Sequence, residues 1–266
     1  MARKSRAMSD PILEVTTFES VARVTLNRPD VRNAFNAELI AELHRTFERL
    51  NADESLRAVI LSGAGKTFCG GADINWMRAS LELSHEENVS DAKRMSDMFA
   101  TIDRCSRPVV ARVHGAALGG GAGLVAVCDV AISSDDALFG FTETKLGILP
   151  AVISPFVLKK IGVSHARALF LTGERFGAER ATNIGLVHEV VRFEDLETAV
   201  DHAIDEIKTG GRQAIALAKK TIADVTADPQ NAREITSQAI ARQRTSAEGQ
   251  EGLRAFLERR KPDWSA

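Results

Sequence analysis

The sequence predicts an α/β domain followed by a helical C-terminal subdomain. Short β-branched segments alternate with helical patterns up to residue 191, and this alternation is typical of α/β proteins. Beyond that point the strand pattern stops, and successive helices are predicted to residue 260, with breaks at Gly210-Gly211 and Asp228-Pro229. The chain of 266 residues is long enough for one large domain. We therefore predict a frayed N-terminus at 1–10, an α/β core at 11–192 and a helical subdomain at 193–266.

Each element of the predicted core has a local signal. Residues 12–16 and 21–26 are rich in β-branched side chains and are separated by a polar turn, which predicts two strands. Asn36 can cap a helix that runs to about Leu50, because apolar residues recur at helical spacing behind it. The other predicted elements are strands at 57–61, 109–113, 130–133, 138–141 and 187–191, a helix at 86–104 and a short apolar helix that glycines 119–121 open and that ends near 127.

The charge and cysteine content exclude several classes of protein. The formal net charge is −2 and the chain has no basic stripe, so we expect neither nucleic acid nor anionic lipid as a partner. Three dispersed cysteines, Cys69, Cys105 and Cys128, do not form a disulfide framework and suit a reducing compartment. These features predict a cytoplasmic protein.

Membrane, secretion and metal signals are also absent from the pattern. The longest apolar stretch, 109–132, contains Arg112, His114 and Asp129 and is too polar to span a bilayer. The basic start is not followed by an apolar segment, so we expect no signal peptide. Six scattered histidines and three distant cysteines give no metal-ligand spacing, and we predict no metal site.

Two glycine-rich segments each follow a predicted strand and precede a predicted helix. They are Gly70-Gly71-Ala72-Asp73 and the run from His114-Gly115 to Gly119-Gly120-Gly121. Helix N-termini carry unpaired amide donors, and glycine lets a backbone approach a ligand closely. If the two segments face one another, two amides can bind one oxygen, which is how a thioester enolate is stabilised. The alternative is that both segments are tight turns that only pack helices on a sheet.

A single carboxylate, Glu143, lies downstream between apolar residues. In an apolar pocket the pKa of its carboxyl group would rise by desolvation, which would suit it to proton transfer. The alternative is a surface ion pair between Glu143 and Lys145.

Taken together, the segments resemble motifs of the crotonase (enoyl-CoA hydratase/isomerase) family, and the resemblance covers nearly the whole chain after the first ten residues. The matching segments are Leu26-Asn27-Arg28-Pro29 with Asn33-Ala34, Phe68-Cys69-Gly70-Gly71-Ala72-Asp73-Ile74, Arg107-Pro108-Val109-Val110-Ala111-Arg112-Val113-His114-Gly115, Leu118-Gly119-Gly120-Gly121, Leu171-Thr172-Gly173-Glu174, Gly185-Leu186-Val187 and the C-terminal stretch from Glu251-Gly252 through Phe256 to Lys261-Pro262.

This resemblance implies a spiral of ββα repeats, with C-terminal helices that make trimers or hexamers. It implies an acyl-CoA thioester as substrate, with coenzyme A part of the substrate and no separate cofactor. The amides of Ala72 and Gly120 would form the oxyanion hole, and Glu143 would be the acid/base. The implied substrate-binding residues are Ala72, Asp73, Ile74, Asn75 and Gly120 along the coenzyme A path, Arg28 and Arg32 at its phosphates, and Phe256 and Lys261 reaching a neighbouring subunit's coenzyme A.

The sequence departs from the usual hydratase pattern at Gly123 and in the segment from Pro150 to Leu158. Hydratases of this family carry a first glutamate where this chain has Gly123, so only Glu143 remains. The residues from Pro150 to Leu158 resemble those of methylglutaconyl-CoA-hydratase-like bacterial enzymes, and we expect Gly123 to widen the pocket for a substrate with its own carboxylate. The predicted activity is hydration of an α,β-unsaturated acyl-CoA, with a branched or carboxylated acyl group among the candidate substrates. A Δ3,Δ2-enoyl-CoA isomerase and a non-catalytic CoA- or RNA-binding protein are the alternatives.

Overall fold

The computed structural model describes residues 11–265, so the predicted frayed segment 1–10 lies outside the described residues. A six-stranded sheet forms the centre, in the order β1-β2-β3-β4-β6-β9. β1 and β2 are antiparallel, and every other neighbouring pair in this sheet is parallel. Its strands are β1 (Leu13–Phe18), β2 (Val21–Leu26), β3 (Ala58–Gly63), β4 (Val109–Val113), β6 (Val130–Ser134) and β9 (Glu189–Val191).

A second sheet of three short strands lies in the order β5-β7-β8. β5 is parallel to β7, and β7 is antiparallel to β8. The strands are β5 (Ala116–Leu118), β7 (Leu138–Gly140) and β8 (Arg175–Gly177). Since β5 follows β4 after only two residues, the chain passes from the first sheet to the second at His114-Gly115, the start of the second glycine-rich segment.

Ten α-helices accompany the sheets within the described part of the chain. They are α1 (Ala37–Ala52), α2 (Ile74–Ser80), α3 (His85–Asp103), α4 (Gly120–Val127), α5 (Ser154–Thr172), α6 (Ala178–Asn183), α7 (Leu196–Thr209), α8 (Arg212–Ala227), α9 (Ala232–Thr245) and α10 (Ala247–Leu257). α5 bends at Gly162, whose φ of 73° lies in the left-handed region that favours glycine.

The central sheet is covered on both faces. All six residues of β3 are buried, as expected for an interior strand of a parallel sheet. Alternate side chains point to opposite faces, so Val59 and Leu61 join the main core while Ala58 and Ile60 pack with α7. Helices α1 and α3, which contact each other, contribute to the main core. The strand ends that carry the glycine-rich segments are thus held by packing on both sides.

The helical C-terminal region begins with a helix that belongs to the core. Leu196, Val200 and Ile204 of α7 are buried against Ile60 and Ile132 of the sheet. Helices α8 and α9 instead contain no fully buried residue and mainly contact each other and α10. The predicted boundary near residue 193 therefore precedes α7, whereas the helices that stand away from the sheet start at α8.

Most predicted elements of the core have a counterpart in the structure. Asn36 caps α1 by accepting a hydrogen bond from the Leu39 N–H at 2.9 Å, as its side chain chemistry predicts. The predicted breaks at 210–211 and 228–229 separate α7, α8 and α9. The sequence patterns did not predict α2, α5, α6, β5 or β8. Across residues 11–265, no helix is long and apolar enough to cross a membrane.

Candidate active site

The two glycine-rich segments run side by side in the same direction. A parallel bridge pairs Cys69 with Ala117: the Cys69 N–H donates to the Ala116 carbonyl at 3.0 Å, and the Leu118 N–H donates to the Cys69 carbonyl at 3.0 Å. Three residues beyond Cys69 and three beyond Ala117 lie Ala72 and Gly120. The structure therefore brings the two predicted oxyanion-hole segments together in register.

The backbone around Ala72 is fixed while its own amide is left available. The Phe35 N–H donates to the Gly71 carbonyl at 2.7 Å, and the Asp73 N–H donates to the Phe35 carbonyl at 2.9 Å. Gly71 has a φ of 99°, and a Cβ added to it would lie 3.0 Å from the Leu118 carbonyl oxygen, so glycine permits this close approach. Among residues 11–265, the Ala72 N–H donates to no protein acceptor.

Gly120 begins α4, and its amide is one of the unpaired donors at the helix N-terminus. The residue before it, Gly119, has φ 52° and ψ −121°, and its own N–H donates to the Gly140 carbonyl at 2.8 Å. Within the described chain the Gly120 N–H has no protein acceptor. Two amides without protein partners, on adjacent and fixed segments, are suited to bind one ligand oxygen.

Glu143 lies next to the Gly120 segment. It begins a short 3-10 turn that ends at Leu146, and a Cβ added to Gly119 would lie 3.1 Å from its Oε1 atom. Its Oε2 atom is buried and has no hydrogen-bond partner in the described structure. Burial raises the pKa of the Glu143 carboxyl group above its ordinary value. Within residues 11–265 Glu143 forms no ion pair, so the alternative of a surface pair with Lys145 is wrong.

This arrangement can stabilise an oxyanion and move a proton at the same place. Comparison with known proteins gives the same class of chemistry: residues 16–266 match the family model described as enoyl-CoA hydratase/isomerase. The chain belongs to the enoyl-CoA hydratase/isomerase family. An enoyl-CoA hydratase of Alternaria alternata is 30% identical over 253 residues, which cover 93% of this chain and 82% of that protein.

Solved structures of the family share the fold. An enoyl-CoA hydratase from Shewanella pealeana is 37% identical with a TM-score of 0.92, covering 96% of this chain and 97% of that one. One from Mycobacterium smegmatis is 34% identical, also with a TM-score of 0.92, covering 97% of this chain and all of the other. The predicted crotonase fold is confirmed, and the chain is an enzyme of the enoyl-CoA hydratase/isomerase family.

The position of the family's first glutamate is not an open space, so the expectation that Gly123 widens the pocket is wrong. A Cβ added to Gly123 would collide with Cγ2 of Ile153 and lie 3.2 Å from Cζ of Phe99. Ile153 is only 2% exposed. An apolar side chain from the start of α5 fills the space that a side chain at 123 would occupy.

Arg28 and Asp73 form an ion pair beneath the Ala72 loop. The Arg28 guanidinium donates to Asp73 Oδ2 at 2.8 Å and to the Ala34 carbonyl. Asp73 also caps α2 by accepting from the Asn75 N–H at 2.8 Å. Burial opposes ionisation of Asp73, but hydrogen bonds from Arg28 and the backbone lower the pKa of this carboxyl group below its ordinary value. Arg28 is therefore occupied in holding the loop, and its predicted contact with a phosphate stays a prediction.

The remaining residues of the predicted coenzyme A path lie at the surface. Ile74 is 70% exposed, and Asn75 and Arg32 are also exposed. Arg32 packs beside Gly70, and its guanidinium forms no hydrogen bond or ion pair with the described residues. A depression of about 450 Å³ beside this loop is lined by Arg28, Asn75 and other residues of the α1 and α2 starts. A second cavity, of about 1020 Å³, lies between α8 and the core and is lined by none of the predicted site residues.

Phe256 and Lys261 are not packed on this site. α10 contacts α8 and α9, and Phe256 is 80% exposed. Their predicted contact with the coenzyme A of another subunit stays a prediction. Among the side chains that contact Gly120 and Gly123, the sequence did not name Phe35, Met95 or Ile153 as site residues, although Ile153 belongs to the Pro150–Leu158 segment. Their apolar side chains resemble any core residue, and only the two glycines that they contact could have pointed to them.

Proposed function

We propose that the protein hydrates an α,β-unsaturated acyl-CoA. The supporting observation is the buried Oε2 atom of Glu143, which has no partner and belongs to a carboxylate beside the Gly119-Gly120 backbone. A carboxyl group with a raised pKa is suited to exchange protons near neutral pH. The neighbouring amides of Ala72 and Gly120 are suited to bind the thioester oxygen. Several curated relatives carry the name enoyl-CoA hydratase.

In the proposed reaction, the oxygen of water forms a bond to the β-carbon while the double bond shifts its electrons towards the thioester. Glu143 accepts a proton from this water, and negative charge develops on the thioester oxygen. The Ala72 and Gly120 amides donate to that oxygen, and each such donor is worth about 2.7–4 kcal/mol of barrier. Glu143 then gives its proton to the α-carbon. The product contains the substrate and one water, and the enzyme is regenerated.

The binding of coenzyme A is proposed to follow the exposed loop. Ala72, Asp73, Ile74 and Asn75 would line its path, with Arg32 as the free guanidinium for a phosphate because planar guanidinium pairs well with phosphate oxygens. Phe256 and Lys261 of an adjacent copy would complete the path in a trimer or hexamer. A cytoplasmic location and the branched or carboxylated acyl group also stay predictions.

A second activity is favoured by the contact between Gly123 and Ile153. Since an isoleucine fills the place of the family's first glutamate, that place supplies no carboxylate and Glu143 is left to transfer the protons. A Δ3,Δ2-enoyl-CoA isomerase needs only one carboxylate, which removes a proton from the α-carbon and returns it to the γ-carbon. The same two amides would bind the enolate oxygen in that reaction.

Mass spectrometry of the products separates these activities. Purified protein is incubated with crotonyl-CoA and, separately, with a 3-enoyl-CoA in deuterated water. A gain of one water from crotonyl-CoA is the expected result. Conversion of only the 3-enoyl-CoA to its 2-enoyl isomer would make the protein an isomerase. No change in either thioester, together with measurable binding of coenzyme A, would favour the non-catalytic alternative and contradict both enzymatic proposals.

A further inference from the structure

The same face of α4 carries Gly120 and Gly123. The two residues are three positions apart, a spacing that places them on one side of a helix, and the Gly123 N–H donates to the Gly119 carbonyl at 3.0 Å. Gly119 is the residue beside the Glu143 carboxylate. An acyl group whose carbonyl lies at the Gly120 amide and whose α- or β-carbon faces Glu143 would lie at the N-terminal end of this face.

Apolar side chains close this face of α4. A Cβ atom built on Gly120 would lie 3.0 Å from Met95 Cε and 3.0 Å from the Phe35 ring. A Cβ atom built on Gly123 would contact Ile153 and Phe99. The rings of Phe35 and Phe99 are 6.0 Å apart in an edge-to-face contact, so these side chains form one continuous wall.

Ile153 closes the wall at its far end. Phe35 and Phe99 have no exposed surface and Ile153 has 2%, so the wall is packed to the ordinary density of a protein interior beyond Gly123. A long acyl chain that passes along α4 meets Ile153 before it can extend past Gly123. Shortening this one side chain is the change that would open space there.

The charges near the wall are engaged elsewhere. Arg94, next to Met95, pairs with Asp91 at 2.9 Å, and Lys159 of α5 lies 3.8 Å from Asp103. Lys160 donates to the Cys128 carbonyl at 2.8 Å, beyond the opposite end of α4.

Lys93 of α3 is exposed and lies two residues from Met95, which places it on nearly the opposite side of that helix. A carboxylate on an acyl group that packs on this wall would be desolvated against apolar atoms.

We propose that Ile153 is a specificity-determining residue that limits the acyl-CoA substrate to a short, uncharged acyl group. This inference rests on the proposed function, because it takes the acyl group to lie between Glu143 and the Gly120 amide. It assigns to the Pro150–Leu158 segment a role in restricting the size of the acyl group, and not in binding a substrate that carries its own carboxylate.

The test compares chain lengths in Ile153→Ala and Ile153→Val variants. kcat/KM is measured with C4, C6 and C8 trans-2-enoyl-CoA thioesters. One methylene in an apolar pocket changes kcat/KM by about 10–200-fold, so we expect the C8 to C4 ratio to rise at least about 10-fold in Ile153→Ala and less in Ile153→Val. Val200→Ala is the matched control, since Val200 of α7 is fully buried in the separate cluster with Ile60 and Ile132 and should leave the ratio unchanged.

Binding measurements make the test independent of turnover. Calorimetric Kd values for the saturated butanoyl- and octanoyl-CoA should show the same change in ratio, even if the enzyme proves to be an isomerase or inactive. An unchanged ratio in both Ile153 variants, or an equal change in Val200→Ala, would overturn the role of Ile153. If turnover is absent but the binding ratio changes, the result would count against the proposed hydration and leave the role of Ile153 intact.

The charge preference is tested with two thioesters that differ by one carboxylate. 3-Methylcrotonyl-CoA and 3-methylglutaconyl-CoA are compared on the unaltered protein, by turnover and by competition against butanoyl-CoA. We expect the uncharged thioester to be preferred at least about 10-fold. A preference for the carboxylated one would overturn this part of the proposal and restore the interpretation based on sequence resemblance.

Discussion

Replacing Arg28 by Met tests whether this arginine holds the Ala72 loop or serves the ligand. The substitution keeps an apolar stem of similar length but removes the donors to Asp73 Oδ2 and to the Ala34 carbonyl. The Arg28 and Asp73 side chains are only 16% and 7% exposed, so the Asp73 carboxylate would lose its countercharge in a largely buried place. We expect a lower melting temperature.

The structure sets the size of this loss. Removing one partner of a buried ion pair costs about 3–5 kcal/mol. Asp73 keeps two backbone donors, Asn75 at 2.8 Å and Trp76 at 3.4 Å, and Arg28 is partly exposed, so about 2–3 kcal/mol is a better value for this site. With an unfolding entropy of roughly 2.1 cal/mol/K per residue over 266 residues, the melting temperature should fall by about 4–5 °C.

Scanning calorimetry measures this loss, with Arg32→Met as the matched control. The Arg32 guanidinium has no partner among the described residues, so its loss should change the melting temperature by no more than about 1 °C while weakening coenzyme A binding about 10-fold. The pKa of Asp73 is lowered in the folded protein, so the pair stabilises above the ordinary Asp pKa of about 3.9 and this benefit disappears as pH falls through the folded value. Equal melting temperatures for Arg28→Met and the parent at neutral pH would refute the reasoning.

Three further substitutions test the site. Gly119→Ala adds a Cβ atom 3.1 Å from Glu143 Oε1, at a residue whose φ is 52°. We expect calorimetry to show a loss of about 1–3 kcal/mol in folding stability from backbone strain, and we expect kcat to fall roughly 100-fold. An unaltered kcat would contradict the placement of Glu143. Burial raises the pKa of the Glu143 carboxyl group, so its negative charge destabilises the folded protein at pH values above the ordinary Glu pKa of about 4.3. Denaturation curves should therefore show Glu143→Gln to be more stable than the parent at neutral pH and equally stable at low pH. Gly123→Glu should lose about 1–3 kcal/mol through collision with Ile153, and Ile153→Ala in the same chain should recover part of it; additive losses would argue against that contact.

The order of the core elements could be predicted because their signals are local. The cap at Asn36 and the helical spacing behind it lie within one segment, and α1 follows them closely. β8 has three residues, too few for an alternating pattern. α5 has apolar residues on several sides and a bend at Gly162, so neither helical periodicity nor its length was visible. Tertiary packing, not local preference, sets these elements.

The glycine-rich segments and Glu143 could be predicted from the sequence, whereas the apolar residues packed on Gly120 and Gly123 could not. Glycines near Ala72 and Gly120 and a carboxylate among apolar residues are local signs, and the structure brings these segments together. The contact between Gly123 and Ile153 joins residues 30 positions apart, and the sequence therefore suggested an empty space where an isoleucine lies. The pairing of Arg28 with Asp73 likewise depends on the fold.

The most direct measurement of the central claim is the turnover of Glu143→Gln on crotonyl-CoA beside its affinity for butanoyl-CoA. General acid–base catalysis contributes about 100–10,000-fold, so we expect kcat to fall by at least about 100-fold while the butanoyl-CoA Kd changes by less than about threefold. Glu82→Gln, at an exposed glutamate, is the control and should keep full activity. Undiminished turnover of Glu143→Gln would contradict the claim that this carboxylate moves the proton.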